Sequence, residues 1–415
     1  MKVGVIGLGY VGLPLAVAFA EAGHDAVGVD TSAERVARLQ RSESDVADVP
    51  SERLRAAVER FAATTDYGRL GDCDAIAICV PTPLRGGRDP DLSHVVEAGQ
   101  ALAPVLAPGQ LVVLESTTYP GTTRDRLRPI LEESGLAAGK DFNLAYSPER
   151  IDPGRTDYTL RTTPKLVGGL TAACARRAVA LYREVCDEVV EVSTPEVAET
   201  AKLLENVFRA VNIALVNELA ALCDRMGVDV WEVVDAAATK PYGFMRFEPG
   251  PGMGGHCLPV DPFYLAHVAG EHDMTAEFIE LAGKMNRDQP YYCVARVQRA
   301  LNEAGRPVKG SRVLLLGVAY KGGVGDLRES PALKMIGLLR ELGAEVLYSD
   351  PFVPELAELG LSSQPLADAL AACDVACIVT AHPGIDWREV VGAAPLVVDF
   401  RGVTRGVEAP NLVRL

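Results

Sequence analysis

Lys2-Val3-Gly4-Val5-Ile6-Gly7-Leu8-Gly9-Tyr10-Val11-Gly12-Leu13-Pro14-Leu15-Ala16 is a short apolar run, a glycine-spaced turn and the start of a second apolar run. Nothing from Leu13 to Ala22 breaks a helix, and Gly23 ends it. Ala26 to Val29 then reads as another strand, closing on Asp30. Short apolar runs bounded by glycine are buried strands, and the longer run between them is a helix, so residues 2–30 predict a β-α-β unit. Lys2, the apolar run and Ala18-Phe19-Ala20 imitate a signal peptide, but the glycines and Pro14 suit a strand, turn and helix better.

In such a unit Gly7, Gly9 and Gly12 permit a tight turn. They let backbone N–H groups approach a pyrophosphate at the helix N-terminus. Asp30 stands where an acid bonds two ribose hydroxyls, which favours NAD over NADP; Arg35 nearby is the residue type that accommodates a 2′-phosphate. The alternative is a domain of this shape whose turn binds nothing.

Further strand-like runs follow at 75–80, 111–114 and 142–146, and alternation with helical stretches implies a parallel, doubly wound sheet. The pattern changes near 193. Ser193-Thr194-Pro195-Glu196 is a helix start, and no breaker occurs before Gly227, which predicts a helix of roughly 46 Å. Residues 241–262 hold five Gly and five Pro and read as a loop; helix resumes over 275–304. A second α/β unit begins at Arg312, with strands at 313–316, 345–348, 376–380 and 396–400 and a helix at 331–342. The fold class expected is therefore α/β: two Rossmann-like doubly wound domains joined by a long central helix and helical dimerisation domain. The expected boundaries are 1–192 for the NAD domain, 193–304 for the helical middle and 305–415 for the second α/β domain.

Composition narrows the function classes. With 41 Lys+Arg against 56 Asp+Glu the net charge is −15, and no basic tract stands out, so nucleic acid and membrane surfaces are poor partners. Nine scattered cysteines without C-x-x-C suggest reduced thiols in a cytoplasmic protein. No 18-residue uninterrupted apolar stretch is present, so no spanning helix is expected.

Four clusters carry chemistry. Lys202 and Asn206 lie four apart on the long helix and so share a face, where an amine and an amide can polarise a substrate oxygen. The competing reading is a solvated face with Glu199 and Glu205 as charge partners. Gly250-Pro251-Gly252-Met253-Gly254-Gly255-His256-Cys257 runs on to Asp261, a glycine-rich path that can approach a ligand and present Cys257 as a nucleophile; a buried structural cysteine is the bland alternative. His256 and Cys257 lack a third ligand at metal-site spacing, so no metal is expected. Gly317-Val318-Ala319-Tyr320-Lys321-Gly322-Gly323 suits a second phosphate-bearing ligand other than a second NAD. Glu149, in Ser147-Pro148-Glu149-Arg150, ends a strand at the sheet edge where ligands bind.

Taken together the chain resembles the UDP-glucose/GDP-mannose dehydrogenase family. The pieces carrying the resemblance occur in family order: GVIGLGYVGLPLA from 4, CVPTP from 79, ESTTYPGTT from 115, YSPERIDPG from 146, AKLLEN from 201, PGPGMGGHCLPVDPFYL from 249 and GVAYKGGVGDLRESPAL from 317. The loop from 249, with YSPERIDPG and TKPYGF, looks most like the branch acting on UDP-N-acetylhexosamines. The resemblance implies oxidation of a sugar C6 alcohol to a carboxylate with two NAD⁺, UDP-N-acetylglucosamine being the substrate it points to. UDP-glucose, TDP-glucose and UDP-N-acetylmannosamine are the alternatives.

The resemblance also implies roles. Cys257 would carry the thiohemiacetal and thioester, Glu149 the hydrolytic water, and Lys202 and Asn206 the C6 oxygen; Asp261 and Thr117 would orient a water or proton relay. Gly7, Gly9, Tyr10, Val11, Gly12, Asp30, Arg35, Thr82, Ser116 and Arg328 match cofactor-contacting positions. Arg150, Arg246, Gly250, Gly252, Gly254 and Lys321 match substrate positions. A homodimer through the central helix, and an active site in a cleft between the two α/β domains, are likewise implied. The product would serve a surface polysaccharide or a secreted small molecule. Gly322 and Gly323 depart from the Lys and acid that family members often carry, and Arg246 from a small residue or Pro. A single-step 3-hydroxyacid-type dehydrogenase shares the Lys-x-x-x-Asn pair, but Cys257 and the complete third domain separate it from this chain. A non-catalytic nucleotide sensor is the remaining class, and retention of Cys257, Lys202, Asn206, Glu149 and Asp261 speaks against it.

Overall fold

The computed structural model describes residues 1–46, 48–85, 89–151, 157–255 and 260–415. These form two compact units, Met1–Glu205 with Phe263–Thr275, and Asn206–Pro262 with Ala276–Leu415.

The first unit is built on eight strands: β1 (Lys2–Ile6), β2 (Asp25–Val29), β3 (Phe61–Thr64), β4 (Ala75–Ile78), β5 (Leu111–Leu114), β6 (Asn143–Tyr146), β7 (Lys165–Gly169) and β8 (Val189–Val192). Their order in the sheet is β8-β7-β6-β5-β4-β1-β2-β3. Val3 and Val5 of β1 enter one apolar cluster and Ile6 the other, so the sheet is buried on both faces, as parallel strands require. Helix α1 (Gly12–Glu21) follows β1, and helix α2 (Ala172–Tyr182) connects β7 to β8. The sheet is not wholly parallel: β7 runs against β6, with Tyr146 opposite Gly168 and Ala145 opposite Gly169. Antiparallel neighbours need no crossover helix, which is why hydrophobic periodicity between 147 and 164 gave no warning of β7. Strands β3 and β8 also escaped the sequence reading. Residue Glu191 and its neighbour Val190 are exposed on β8, an edge strand without the apolar run that marks a central one.

Helix α3 (Pro195–Met226) starts at the proline expected and ends at Gly227, whose φ of +69° is a left-handed stop. Its 32 residues span about 48 Å. Among the described residues it is the one helix long and apolar enough to cross a membrane by length and composition, which the criterion of uninterrupted apolar runs did not register. Its buried Glu199, Lys202, Asn206 and Asn217 are the marks of a helix packed in protein. The Glu199 carboxylate fixes α3 to the first unit. It accepts from Gly121 N (2.7 Å), Thr123 N (2.9 Å) and Thr123 Oγ1 (2.7 Å). Burial pushes this carboxyl up to about 7, against those three donors.

The second unit holds β9 (Arg312–Leu316), β10 (Glu345–Ser349), β11 (Val375–Ile378), β12 (Val397–Asp399) and β13 (Leu412–Arg414), all parallel, in the order β10-β9-β11-β12-β13. β13 was not anticipated; its three half-buried residues lie at the sheet edge. Helices α4 (Val230–Ala238), α6 (Glu277–Glu303) and α7 (Pro331–Glu341) contribute to its larger core around Trp231, Tyr348 and Phe400. Helix α5 (Asp261–Glu271) follows the glycine-rich loop. Cysteines 73, 79, 174, 186, 223, 293, 373 and 377 are buried and free.

Replacing Glu199 by Ala leaves two backbone N–H groups and a hydroxyl without their acceptor. The expected cost is about 2–3 kcal/mol, read as a lower thermal midpoint.

Candidate active site

The glycine turn, the acid at the next strand end and the strand order place the nucleotide end of the first sheet. Gly7 has φ +90°, and a Cβ there would sit 2.6 Å from the Cys79 carbonyl oxygen. A Cβ on Gly12 would fall 1.8 Å from the Gly7 carbonyl oxygen, so the turn cannot close around a larger residue. Gly9, by contrast, has nothing within 4 Å of such a Cβ: space stands open above the turn. Asp30 ends β2 and accepts from Leu8 N (2.8 Å), Ser32 N (2.9 Å) and Arg35 Nη1 (3.2 Å), which ties Arg35 to the acid. Thr82 Oγ1 donates to the Thr117 carbonyl at 2.7 Å and Ser116 Oγ to that of Val80 at 2.7 Å, joining the segments beyond β4 and β5. Tyr10 is exposed and Val11 half-buried on the same turn. The order β4-β1-β2 makes β1 the switch point, where ligands of open α/β sheets bind. A narrow glycine turn, an open side and an acid at the next strand end fit a dinucleotide.

Further along the same edge, Glu149 Oε1 accepts from Arg150 N and Ile151 N, both at 2.6 Å. Its other oxygen lies 3.7 Å from Lys165 Nζ. Lys165 in turn donates to the fully buried Glu115 at 2.6 Å, and Tyr182 OH donates to the second oxygen of Glu115. Arg150 pairs with Glu205 at 2.8 Å and donates to the Pro164 carbonyl. Thr118 rather than Thr117 is the fully buried hydroxyl here, and its Oγ1 has no partner among the described residues.

The solvated-face alternative for Lys202 and Asn206 does not match the structure. They are 8% and 5% exposed. Glu199 faces the 121–123 turn and Glu205 takes Arg150, so neither serves Lys202. Lys202 donates to no acceptor among the described residues. Asn206 Nδ2 donates to Asp261 Oδ2 at 2.5 Å within the second unit. Tyr264, one turn along α5, donates to the Thr82 carbonyl in the first unit.

In the second unit the loop before α5 lies on the segment after β9. Gly255 N donates to the Arg328 carbonyl at 2.9 Å. A Cβ on Gly254 would meet Tyr320 at 2.6 Å, one on Gly252 would meet Pro331 at 3.3 Å, and one on Gly250 would meet Arg401 at 2.6 Å. Gly250 is held at both ends of its peptide group, by Asn217 and Gln289. Cys257, with His256, lies outside the described residues. Lys321 is half-buried in the 317–323 turn. Arg328 pairs with Asp326 at 2.6 Å, and Arg246 with Asp235 (2.5 Å) and Glu248 (3.1 Å). Gly322 has a local reason: a Cβ would lie 2.2 Å from the Ala381 carbonyl oxygen. Asp350 ends β10 as Asp30 ends β2, but it is saturated, accepting from Val318 N, Ala319 N, Phe352 N, Val353 N and His382 Nε2. Burial alone would raise its carboxyl; His382 and the backbone donors hold it below the usual range. It has little capacity left for a ribose.

Comparison with known proteins decides what this arrangement is. The NAD-binding-domain model of the UDP-glucose/GDP-mannose dehydrogenase family matches residues 1–186, its central-domain model 196–288 and its UDP-binding-domain model 314–406. The UDP-N-acetyl-D-mannosamine dehydrogenase of Pyrococcus horikoshii is 35% identical over 427 residues, covering 98% of this chain and 100% of that protein. The chain belongs to this family. It is an oxidoreductase, a nucleotide-sugar dehydrogenase with an NAD-binding domain. The UDP-N-acetyl-D-glucosamine 6-dehydrogenase of Pseudomonas aeruginosa is 39% identical over 355 residues, covering 85% of this chain and 83% of the relative. Among solved structures, the UDP-D-ManNAc dehydrogenase of P. horikoshii superposes with TM-score 0.92 at 33% identity, covering 100% of this chain and 99% of the other.

For this dehydrogenase, the groups that sequence reasoning missed are Glu115, Lys165 and Tyr182. They lie 50 and 67 residues apart in the chain and no local motif links them. Two glycines test the cradle. Gly9→Ala is expected to fold with an unchanged thermal midpoint yet to raise the Kd for NAD about tenfold or more, since a Cβ there meets no atom of the described residues but would enter the space a pyrophosphate needs. Gly12→Ala is expected to lower the midpoint itself. Calorimetric titration and thermal melts separate the two.

Proposed function

We propose that the chain oxidises C6 of a UDP-N-acetylhexosamine twice, from alcohol to carboxylate. Buried Lys202, with no acceptor among the described residues, carries this reading furthest: an amine kept for a ligand oxygen, one helical turn from Asn206. When bound, NAD⁺ would be held by the 7–12 turn and Asp30 and would supply the hydride acceptor for each of the two oxidations. Lys202 and Asn206 donate to the C6 oxygen where negative charge builds in both oxidations. An aldehyde carries no hydroxyl, so the Cys257 thiolate adds to its carbonyl carbon, and the thiohemiacetal regains one. Its oxidation leaves a thioester. Water then forms the new C–O bond while Glu149 takes its proton; the C–S bond breaks and the electron pair returns to sulfur. Asp261, bonded to Asn206, sets that amide's direction.

The glucosamine configuration is our first reading, supported by the 249–265 loop and by the 39% identity to the P. aeruginosa enzyme. The mannosamine configuration is the second, favoured by a P. horikoshii relative that matches over its full length. We place the enzyme in a reducing compartment, on its free buried thiols.

Two NADH per sugar on one acetamido substrate is the expected stoichiometry, and two on UDP-glucose alone would overturn the substrate class. Cys257→Ser is expected to bind NAD but lose the four-electron reaction; full activity would sink the thioester. Glu149→Gln is expected to accumulate a covalent adduct visible by intact mass spectrometry.

A homodimer through α3 is part of the proposal. Val197, Leu204, Phe208, Leu215, Leu222 and Met226 are all exposed, and their steps of seven and four follow one helix face. An apolar stripe of that length fits a second copy of itself. Leu215→Glu is expected to turn a dimer into a monomer at micromolar concentration by light scattering; a wild-type monomer would refute the assembly.

A further inference from the structure

We propose that Lys165 is a positioning residue for the hydrolytic step: standing between Glu115 and Glu149, it keeps the Glu149 side chain in place as a carboxylate base. The inference rests on the reading of Glu149 given above.

The reversal of β7 puts the lysine there. Tyr146 is opposite Gly168 in the antiparallel register, so three residues further on Glu149 comes opposite Lys165, three residues earlier on its strand. The parallel register of β5 with β6 sets Leu114 against Tyr146, which brings Glu115 to the same edge. A wholly parallel sheet would carry the first residue of β7 to the far edge. Lys165 is 3% exposed and makes contact with both acids, 2.6 Å to Glu115 and 3.7 Å to Glu149.

The charge states follow from the bonding. Lys165 and Tyr182 each place a donor against one oxygen of Glu115, and hydrogen bonds of that kind favour its carboxylate form. Burial pushes Glu115 up, and the Lys165 charge works against it. For Lys165 burial disfavours the charge, but Glu115 and Glu149 outweigh it and the ammonium is held well above its ordinary range. Among the described residues, the other titratable groups facing the cluster are Cys79, Tyr182 and Cys186. Burial raises the first two far above neutrality and Cys186 to about 11, so all three are uncharged. Arg150 is spent on Glu205. Among the described residues Lys165 is therefore the cation that faces Glu149, and Glu115 is the anion that dilutes its effect.

Two variants should move the acidic limb of the kcat profile in opposite directions. In Glu115→Gln the amide still accepts from Lys165 and can donate to Tyr182, while a like charge near Glu149 is gone; the limb should shift about one pH unit lower. In Glu115→Gln/Lys165→Met the cation is gone too, without stranding a buried carboxylate, and the limb should move above that of wild type by about one unit, with the thioester adduct accumulating at low pH. Lys165→Arg should stay near wild type. The assays use the whole enzyme with NAD⁺ and whichever of UDP-N-acetylglucosamine and UDP-N-acetylmannosamine it turns over. A merely structural lysine would lower activity without these opposed shifts. An unmoved limb in folded Glu115→Gln overturns the inference even where the double variant fails to fold. Should Glu149→Gln accumulate the adduct while the limbs stay put, Lys165 alone is wrong. Normal turnover without adduct in Glu149→Gln removes the base itself, and both readings fall.

Discussion

In each unit a buried aspartate accepts the N–H that follows a glycine turn, and the carboxyl edge of the sheet depends on that contact. Asp30 takes Leu8 N at 2.8 Å and Asp350 takes Val318 N at 2.7 Å. The turn lifts the chain off its first strand with φ +90° at Gly7 and +80° at Gly317. Without an acceptor, the next N–H would be buried and unpaired, at a cost of roughly 1–3 kcal/mol. The same bond fixes the end of the second strand against the start of the first helix or loop. Ligand-facing groups on neighbouring strands are then held in one plane. The two edges diverge in what the aspartate has left. Asp30 accepts three donors beside an open glycine, whereas Asp350 accepts five and is sealed by His382. One fold repeated twice thus holds two kinds of nucleotide surface.

The second constraint is electrostatic. A sheet edge that collects Glu115 and Glu149 in a dry environment must neutralise part of that charge, since an unpaired buried carboxylate protonates instead. One reversed strand solves this by delivering Lys165 from the opposite chain direction. Lys202 shows the converse arrangement. It is buried, its neighbouring acids are turned elsewhere, and it has no acceptor among the described residues.

Much of this was legible in residue order. The glycine turn at 7–12, the acid at 30, the start of α3 at Pro195 and the second strand set from 312 are all written in short-range patterns that backbone geometry reads directly. Lys202 and Asn206 were legible as a pair, but the sequence left their environment open: their burial and the turning away of Glu199 and Glu205 separate them from a solvated face. Arg150 and Arg246 were read as substrate contacts, and in the folded chain each has carboxylate partners of its own. Strand β7 was hidden because an antiparallel return has no crossover helix to announce it.

Sequence alone determined the central strands of the two α/β sheets, the long helix between their strand sets, and the glycine turn and acid for dinucleotide binding. These depend on periodicities of two and 3.6 and on glycine at fixed offsets, which neighbouring residues specify. Tertiary structure alone decided which charges meet. Lys165 reaches Glu115 across 50 residues and Tyr182 reaches it across 67, through strand order and register that no local window contains. Electrostatics acts through space, and the direction of one strand sets which charges lie within a few ångströms of Glu149.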